Sequence, residues 1–158
     1  MLIFTQRRSM TDIEANLADL LLDHEQRRRV RAKLHLVDGT PVTLALPRGT
    51  VLREGERLVT EAGNGATTVR AALEHVSAAV VDDPRHLARL AYQLGNRHAA
   101  VQFAGNTIYF LHNPALARLC EGLGAQVLEC HRAFEPEALG TSTYEHAHEP
   151  TDEGQDSN

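Results

Sequence analysis

The chain has 158 residues, of which 42% are hydrophobic and 4% aromatic with no Trp, so any core must be built mainly from Leu, Val and Ala, in one domain or two small ones. Its net charge of -5 resides in residues 141–158, which carry five acids and no Lys or Arg; the remaining 16 acids balance the 16 basic residues. A neutral body with an acidic end argues against grip on a phosphate backbone, which needs a basic face, and two cysteines are too few for a disulfide framework.

At the start, Leu2-Ile3-Phe4 before Arg7 and Arg8 offers no small-residue cleavage site and does not read as a signal peptide. No apolar run approaches the roughly 18–20 residues that span a bilayer, so the expected location is the cytoplasm. Leu17 to Asp23 is compatible with a turn of helix. Arg27-Arg28-Arg29 is the one basic cluster, and it reads as a solvated turn, with no aromatic neighbours on which bases would stack. Val30, Ala32, Leu34 and Leu36 then alternate with Arg31, Lys33 and His35, the period-2 pattern of a half-buried strand. Asp38-Gly39 marks a tight turn, and Val42, Leu44 and Leu46 alternate again. Pro47, Gly49, Gly55, Gly63 and Gly65 keep the following pieces short. Residues 1–72 are thus expected to form a small β-rich domain.

The texture then changes. Val76 to Val81 is a continuous apolar run, ended by Asp82-Asp83-Pro84, a helix-start signal. Leu87, Leu90, Ala91 and Leu94 follow at helical spacing, with Gly95 placed to stop the helix. Val101 to Phe110, broken at Ala104-Gly105-Asn106, predicts a hairpin. Asn113-Pro114 repeats the start signal, Leu116, Leu119, Cys120 and Leu123 repeat the apolar spacing, and Gly124 supplies the stop. Val127 and Leu128 lie in a last strand. The order β-α-β-β-α-β over 73–140 predicts a ferredoxin-like sheet with both helices on one face, and an α+β fold class overall. Residues 141–158 have no apolar period and are expected to be a disordered acidic tail.

Nine histidines are the chain's main chemical resource. His24, His35, His75, His86 and His131 are scattered and read as surface or hydrogen-bonded residues. His98, in Gly95-Asn96-Arg97-His98, lies on a short link past the first helix, where an imidazole projects outward without disturbing a core; a capping role there is the alternative. One imidazole is too weak a ligand for a first-row metal, but a twofold axis would supply a second. His112 precedes the second helix start and is a further candidate ligand. His146 and His148, flanked by Glu145 and Glu149, form a short pair in the tail. Imidazole and carboxylate suit Ni, Cu, Zn and Co, and the absence of Cys-x-x-Cys argues against structural zinc. Cys120 falls on an apolar stripe and is expected in a core. Neither a nucleophile motif, a phosphate-cradling loop nor His-Glu-x-x-His is present, so the chain does not read as an enzyme.

At Tyr92-Gln93-Leu94-Gly95-Asn96-Arg97-His98 the sequence resembles the UreE family of urease accessory nickel metallochaperones. The resemblance extends through Val101-Gln102, Leu123-Gly124 and Phe134-Glu135-Pro136-Glu137. It implies a peptide-binding-like first domain, a ferredoxin-like second domain and a homodimer formed through the latter. It further implies that His98 binds Ni(II) with its symmetry mate and that tail histidines, here His146 and His148, add ligands. The cargo would pass to the urease accessory GTPase and then to the urease apoprotein, with Zn(II) or Cu(II) bound in vitro. The chain departs from the family pattern at Gln93, where members commonly have His, and at Pro114, which replaces the second member of a His-x-His pair beginning at His112. Imidazoles bind only when deprotonated, so nickel affinity is expected to fall as pH drops through about 6.5. The rival readings are a metal-dependent hydrolase, which lacks a general base, and a ferredoxin-like protein- or RNA-binding module without a physiological metal, for which Phe103, Tyr109 and Phe110 would be the stacking residues.

Overall fold

The structure, a computed structural model, describes residues 2–8 and 15–137. Two sheets follow one another along the chain. The first has six strands, β1 (Leu2–Arg8), β2 (Leu20–Leu22), β3 (Arg31–His35), β4 (Pro41–Ala45), β5 (Arg57–Thr60) and β6 (Ala66–Ala71), in spatial order β2-β6-β5-β1-β4-β3. The pleat explains the pattern: in β4, Val42 and Leu44 are buried while their neighbours are not, so one face of the strand lines the core. Phe4, Leu20, Leu22, Leu58 and Val69 complete that core from other strands. Past the two edge strands, Val37 N donates to Asp19 O at 2.9 Å and draws the ends of the sheet into a barrel-like curl.

Leu17 to Asp23 is not helical. Leu20 and Leu22 are buried, Leu21 is exposed, and β2 pairs in parallel with β6. Consecutive leucines satisfy either period locally; the open edge of β6 decides in favour of a strand. The Asp38-Gly39 turn forms as expected, with Gly39 at a φ of 86° and Asp38 Oδ1 accepting from Thr40 N at 2.9 Å.

The second sheet is built as β7 (Leu73–Val80), α1 (Pro84–Gly95), β8 (Val101–Ala104), β9 (Thr107–Leu111), α2 (Pro114–Gly122) and β10 (Gln126–Ala133). It is antiparallel throughout, in order β10-β7-β9-β8. Both helices pack on one face through a shared core of Ala79, Leu90, Leu94, Ile108, Phe110 and Cys120, the ferredoxin-like arrangement. The start signals act as anticipated: Asp83 accepts from His86 N at 2.9 Å, Asn113 accepts from Ala115 N at 2.9 Å, and Pro follows each cap. Burial pushes the Cys120 thiol up to about 11, so it is an inert core residue at neutral pH. No helix of the described residues is long and apolar enough to cross a membrane.

The segment after β10 fastens the two sheets together. Phe134 is fully buried, and its ring meets that of His24 edge-on at 5.4 Å. His24 is held in turn by Glu74, its Nδ1 3.0 Å from Oε1. Arg27 donates to Phe134 O and, at 2.6 Å, to Glu135 Oε1, which also accepts from Glu54 N at 2.8 Å. Arg53 Nη1 reaches Pro136 O at 3.1 Å. The expectation of a solvated Arg27-Arg28-Arg29 turn therefore needs correction at its first member. Arg28 and Arg29 are exposed, but Arg27 is only 2% exposed, because the 3-10 turn Gln26–Arg28 carries it against the Phe134-Glu135 backbone. A guanidinium with a carboxylate and a carbonyl to hold is one of the few cations tolerated inside.

Candidate metal sites

His98 sits where a glycine is normally required. Past α1, Ala99 N donates to Leu94 O at 3.2 Å and His98 N to Gly95 O at 2.9 Å, the paired bonds of a Schellman end. α2 ends the same way, with Ala125 N on Cys120 O at 3.0 Å and Gly124 N on Glu121 O at 2.9 Å. In α2 the left-handed position is Gly124, at a φ of 92°; in α1 the equivalent position is His98, at 53°. Gly95 ends α1 but does not make the turn. Among the described residues His98 is the one non-glycine with positive φ. A Cβ in this region clashes with backbone, so the position is strained, and strain of this kind collects where a side chain is needed in a set direction. The ring itself is exposed.

The surrounding signature residues brace the turn. Leu94 is buried and anchors the end of α1. Arg97 Nη1 folds back to Gln93 O at 2.8 Å and to Gln93 Oε1 at 3.0 Å, placing a cation on a carbonyl at the negative helix end. Gln93 is thus engaged in holding Arg97. His98→Gly is expected to raise stability by about 0.5–1 kcal/mol, net of the extra backbone entropy that glycine loses. Urea denaturation would measure it, and a loss of stability would contradict a strained turn.

A second group forms on the helix-side face of the second sheet, in register across three strands. His75 on β7 is paired with His131 on β10, and His112 N donates to His75 O at 2.9 Å, continuing the β7–β9 ladder by one residue. The three imidazoles stack in a row, with ring centroids 4.3 Å apart for His75 and His112 and 4.9 Å for His75 and His131. Glu129, two residues from His131, reaches across. Its Oε2 is 2.9 Å from His75 Nε2 and 3.8 Å from His112 Nδ1, and Ser77 Oγ lies 3.0 Å from that same Nδ1. One donor atom from each of His75, His112 and Glu129 lies within 4.8 Å of the others.

Of the four histidines singled out in the sequence, the structure places His98 on an exposed turn and His112 in the cross-strand group, and does not join the two. His146 and His148 lie outside the described residues. His75 and Glu129 carry no local signature in the sequence, because they lie 37 positions before His112 and 17 positions after it. The hydrogen-bonded reading holds for His24 and for His86, whose Nε2 lies 2.7 Å from Leu123 O. The stacking residues of the RNA reading are compromised: Phe110 is core, and Tyr109 lies beneath the Arg132 guanidinium at 3.9 Å.

Comparison with known proteins adds identity to this geometry. Residues 4–72 match the family model described as the UreE urease accessory protein N-terminal domain, and residues 74–158 match that described as its C-terminal domain. The urease accessory protein UreE of Proteus mirabilis is 40% identical over 128 residues, covering 81% of this chain and 79% of that protein. The proteins of the same name from Citrobacter koseri and Nostoc punctiforme are 38% and 36% identical, each over 148 residues and 94% of this chain, covering 96% and 100% of their own lengths.

Proposed function

Because this chain belongs to the UreE family of urease accessory proteins, an accessory chaperone family and not an enzyme family, we propose that it carries Ni(II) as cargo for assembly of the urease active site. The observation that carries this reading is His98: an exposed imidazole held at a left-handed position that glycine would fill without strain. In the proposed carrier, a twofold axis brings His98 of two chains together, so that each chain supplies one nitrogen and the interface supplies the pair. Residues 73–140 would form the dimerising, metal-binding part and residues 1–72 the part that engages protein partners.

Two neutral nitrogens with open coordination positions suit a carrier. They hold a borderline divalent cation without enclosing it, so an acceptor's ligands can add before the donor's leave. The same donor set would accept Zn(II) or Cu(II) in vitro, since the affinity order favours Cu. His146 and His148 would supplement the pair and retain the ion during transfer. The acceptors are the urease accessory GTPase and, through it, the urease apoprotein, in the cytoplasm.

The test is a Ni(II) titration of the full chain and of His98→Ala, with oligomeric state followed by analytical ultracentrifugation. The wild type should show a binding event of one ion per two chains. In His98→Ala that event should weaken at least about tenfold, or about 1.4 kcal/mol, while the dimer persists. Equal affinity and stoichiometry in the two proteins would remove His98 from the mechanism.

A further inference from the structure

We propose that His75, His112 and Glu129 form a second cation site, complete within one chain and selective for borderline first-row divalent ions. Neither His98 nor a dimer is needed for it, so it stands apart from the function proposed above.

Strand register sets the spacing. Residues directly opposite on adjacent antiparallel strands have Cβ atoms about 4.5–5.5 Å apart, and diagonal neighbours stay within reach of long side chains. His75 and His112 are neighbours of the first kind, and Glu129 is diagonal to His75 through the His75–His131 pair. Because the ladders fix the backbone, the donors converge without a loop having to order. An ion with bonds of about 2.0–2.1 Å needs its ligands roughly 2.9–3.4 Å apart. The 2.9 Å from His75 Nε2 to Glu129 Oε2 already meets this, and the 3.8 Å from Glu129 Oε2 to His112 Nδ1 needs a few tenths of an ångström of closure. The two stacked rings must also tilt to aim both nitrogens at one point. Rotation about χ2 of histidine is soft, and Glu129 is exposed enough to follow.

The chemistry selects the ion. Two imidazoles and one carboxylate suit Ni(II), Cu(II) and Zn(II) better than Mg(II) or Ca(II), which prefer oxygen throughout. One negative charge against two leaves a singly charged complex whose remaining positions water would fill. Entry is open, because the side chains of His75 and Glu129 are 42% and 59% exposed, whereas His112, at 20%, forms the floor of the site. Ser77 Oγ, at 3.0 Å from His112 Nδ1, now occupies the nitrogen that would bind; its hydroxyl can rotate away or hydrogen-bond a metal-bound water. No Lys or Arg is hydrogen-bonded or ion-paired to His75, His112 or Glu129 among the described residues, so no fixed cation competes for the carboxylate.

Topology also places this group near the cargo position. β7 begins, and β9 and β10 finish, at the same end of the sheet to which α1 returns the chain at His98. The two sites thus share one end of the ferredoxin-like unit, where an ion captured by the cross-strand group would be held close to the dimer-forming turn.

The experiment uses the full chain bearing His98→Ala, His146→Ala and His148→Ala, titrated with Ni(II) and, separately, with Cu(II). This background should retain one ion per chain, and the Cu(II) electron paramagnetic resonance spectrum should show coupling to two nitrogens. Adding His75→Gln or Glu129→Gln should lower affinity at least tenfold with circular dichroism unchanged. Ni(II) should also broaden the imidazole resonances of His75 and His112 in the background chain, which reads the site even if His112→Gln does not fold. Absence of binding in the background chain, or binding indifferent to both His75→Gln and Glu129→Gln, would overturn the proposal. Failure of the His98 reading would show separately, as an event of one ion per two chains that His98→Ala leaves unchanged.

Discussion

Phe134→Ala is expected to cost about 3–5 kcal/mol of stability, the usual range for a phenylalanine truncated in a core that cannot collapse around the gap. Phe134 is fully buried, and what it touches belongs to different parts of the chain: the His24 ring lies against it, and Arg27 grips its carbonyl. Neither sheet can close over the space alone, because each is held by its own ladders. The loss should therefore appear as uncoupling as well as destabilisation. Calorimetry of the wild type should show the two sheets melting together, and Phe134→Ala should separate them into two transitions, the lower well below the wild-type midpoint. A single transition within a few degrees of wild type would mean that the segment after β10 does not join the sheets energetically.

Arg27→Ala is expected to cost about 2–3 kcal/mol, below the ~3–5 typical of breaking a buried ion pair. The discount follows from exposure: Arg27 is 2% exposed but Glu135 is 30% exposed, so the orphaned carboxylate can take up water. Arg27 also donates to Phe134 O, and its Nε has no hydrogen-bond partner, so the guanidinium is incompletely satisfied even in the intact protein. Arg27→Met should recover part of the packing but not the pair. Combined with Glu135→Gln it should cost about 1 kcal/mol less than the two single changes added together, as expected for residues in contact. Strict additivity in urea denaturation would show that the 2.6 Å contact carries no coupling.

These two residues give the Phe134-Glu135-Pro136-Glu137 motif a physical meaning. Phe134 supplies apolar contact between the sheets, Glu135 accepts from Arg27 and from Glu54 N, and Pro136 exposes a carbonyl that Arg53 reaches. The motif holds the two sheets together, at the end of the second sheet where His98 and the cross-strand histidines lie.

What the amino-acid sequence determined by itself was everything governed by neighbours a few positions apart. The alternation around Leu34 and Val42 specified β3 and β4, Asp83-Pro84 and Asn113-Pro114 specified where α1 and α2 begin, and the apolar spacing from Leu87 to Leu94 specified which face of α1 is buried. Such signals are local because helix caps, turns and pleats are closed by bonds within one or two turns of chain. The left-handed turn at His98 is local in the same sense, since it lies four residues after the last buried side chain of its helix, Leu94, as Gly124 does after Cys120.

Tertiary structure alone decided the rest. Leu20-Leu21-Leu22 became a strand because β6 offered an unpaired edge, and Arg27 became a buried cation because a carboxylate 108 positions away came to meet it. His75, His112 and Glu129 became a set of converging donors because sheet order brings β10, β7 and β9 side by side. Residues so far apart in sequence meet only after chain entropy has been overcome by the core as a whole, so no short window of sequence contains the information that pairs them.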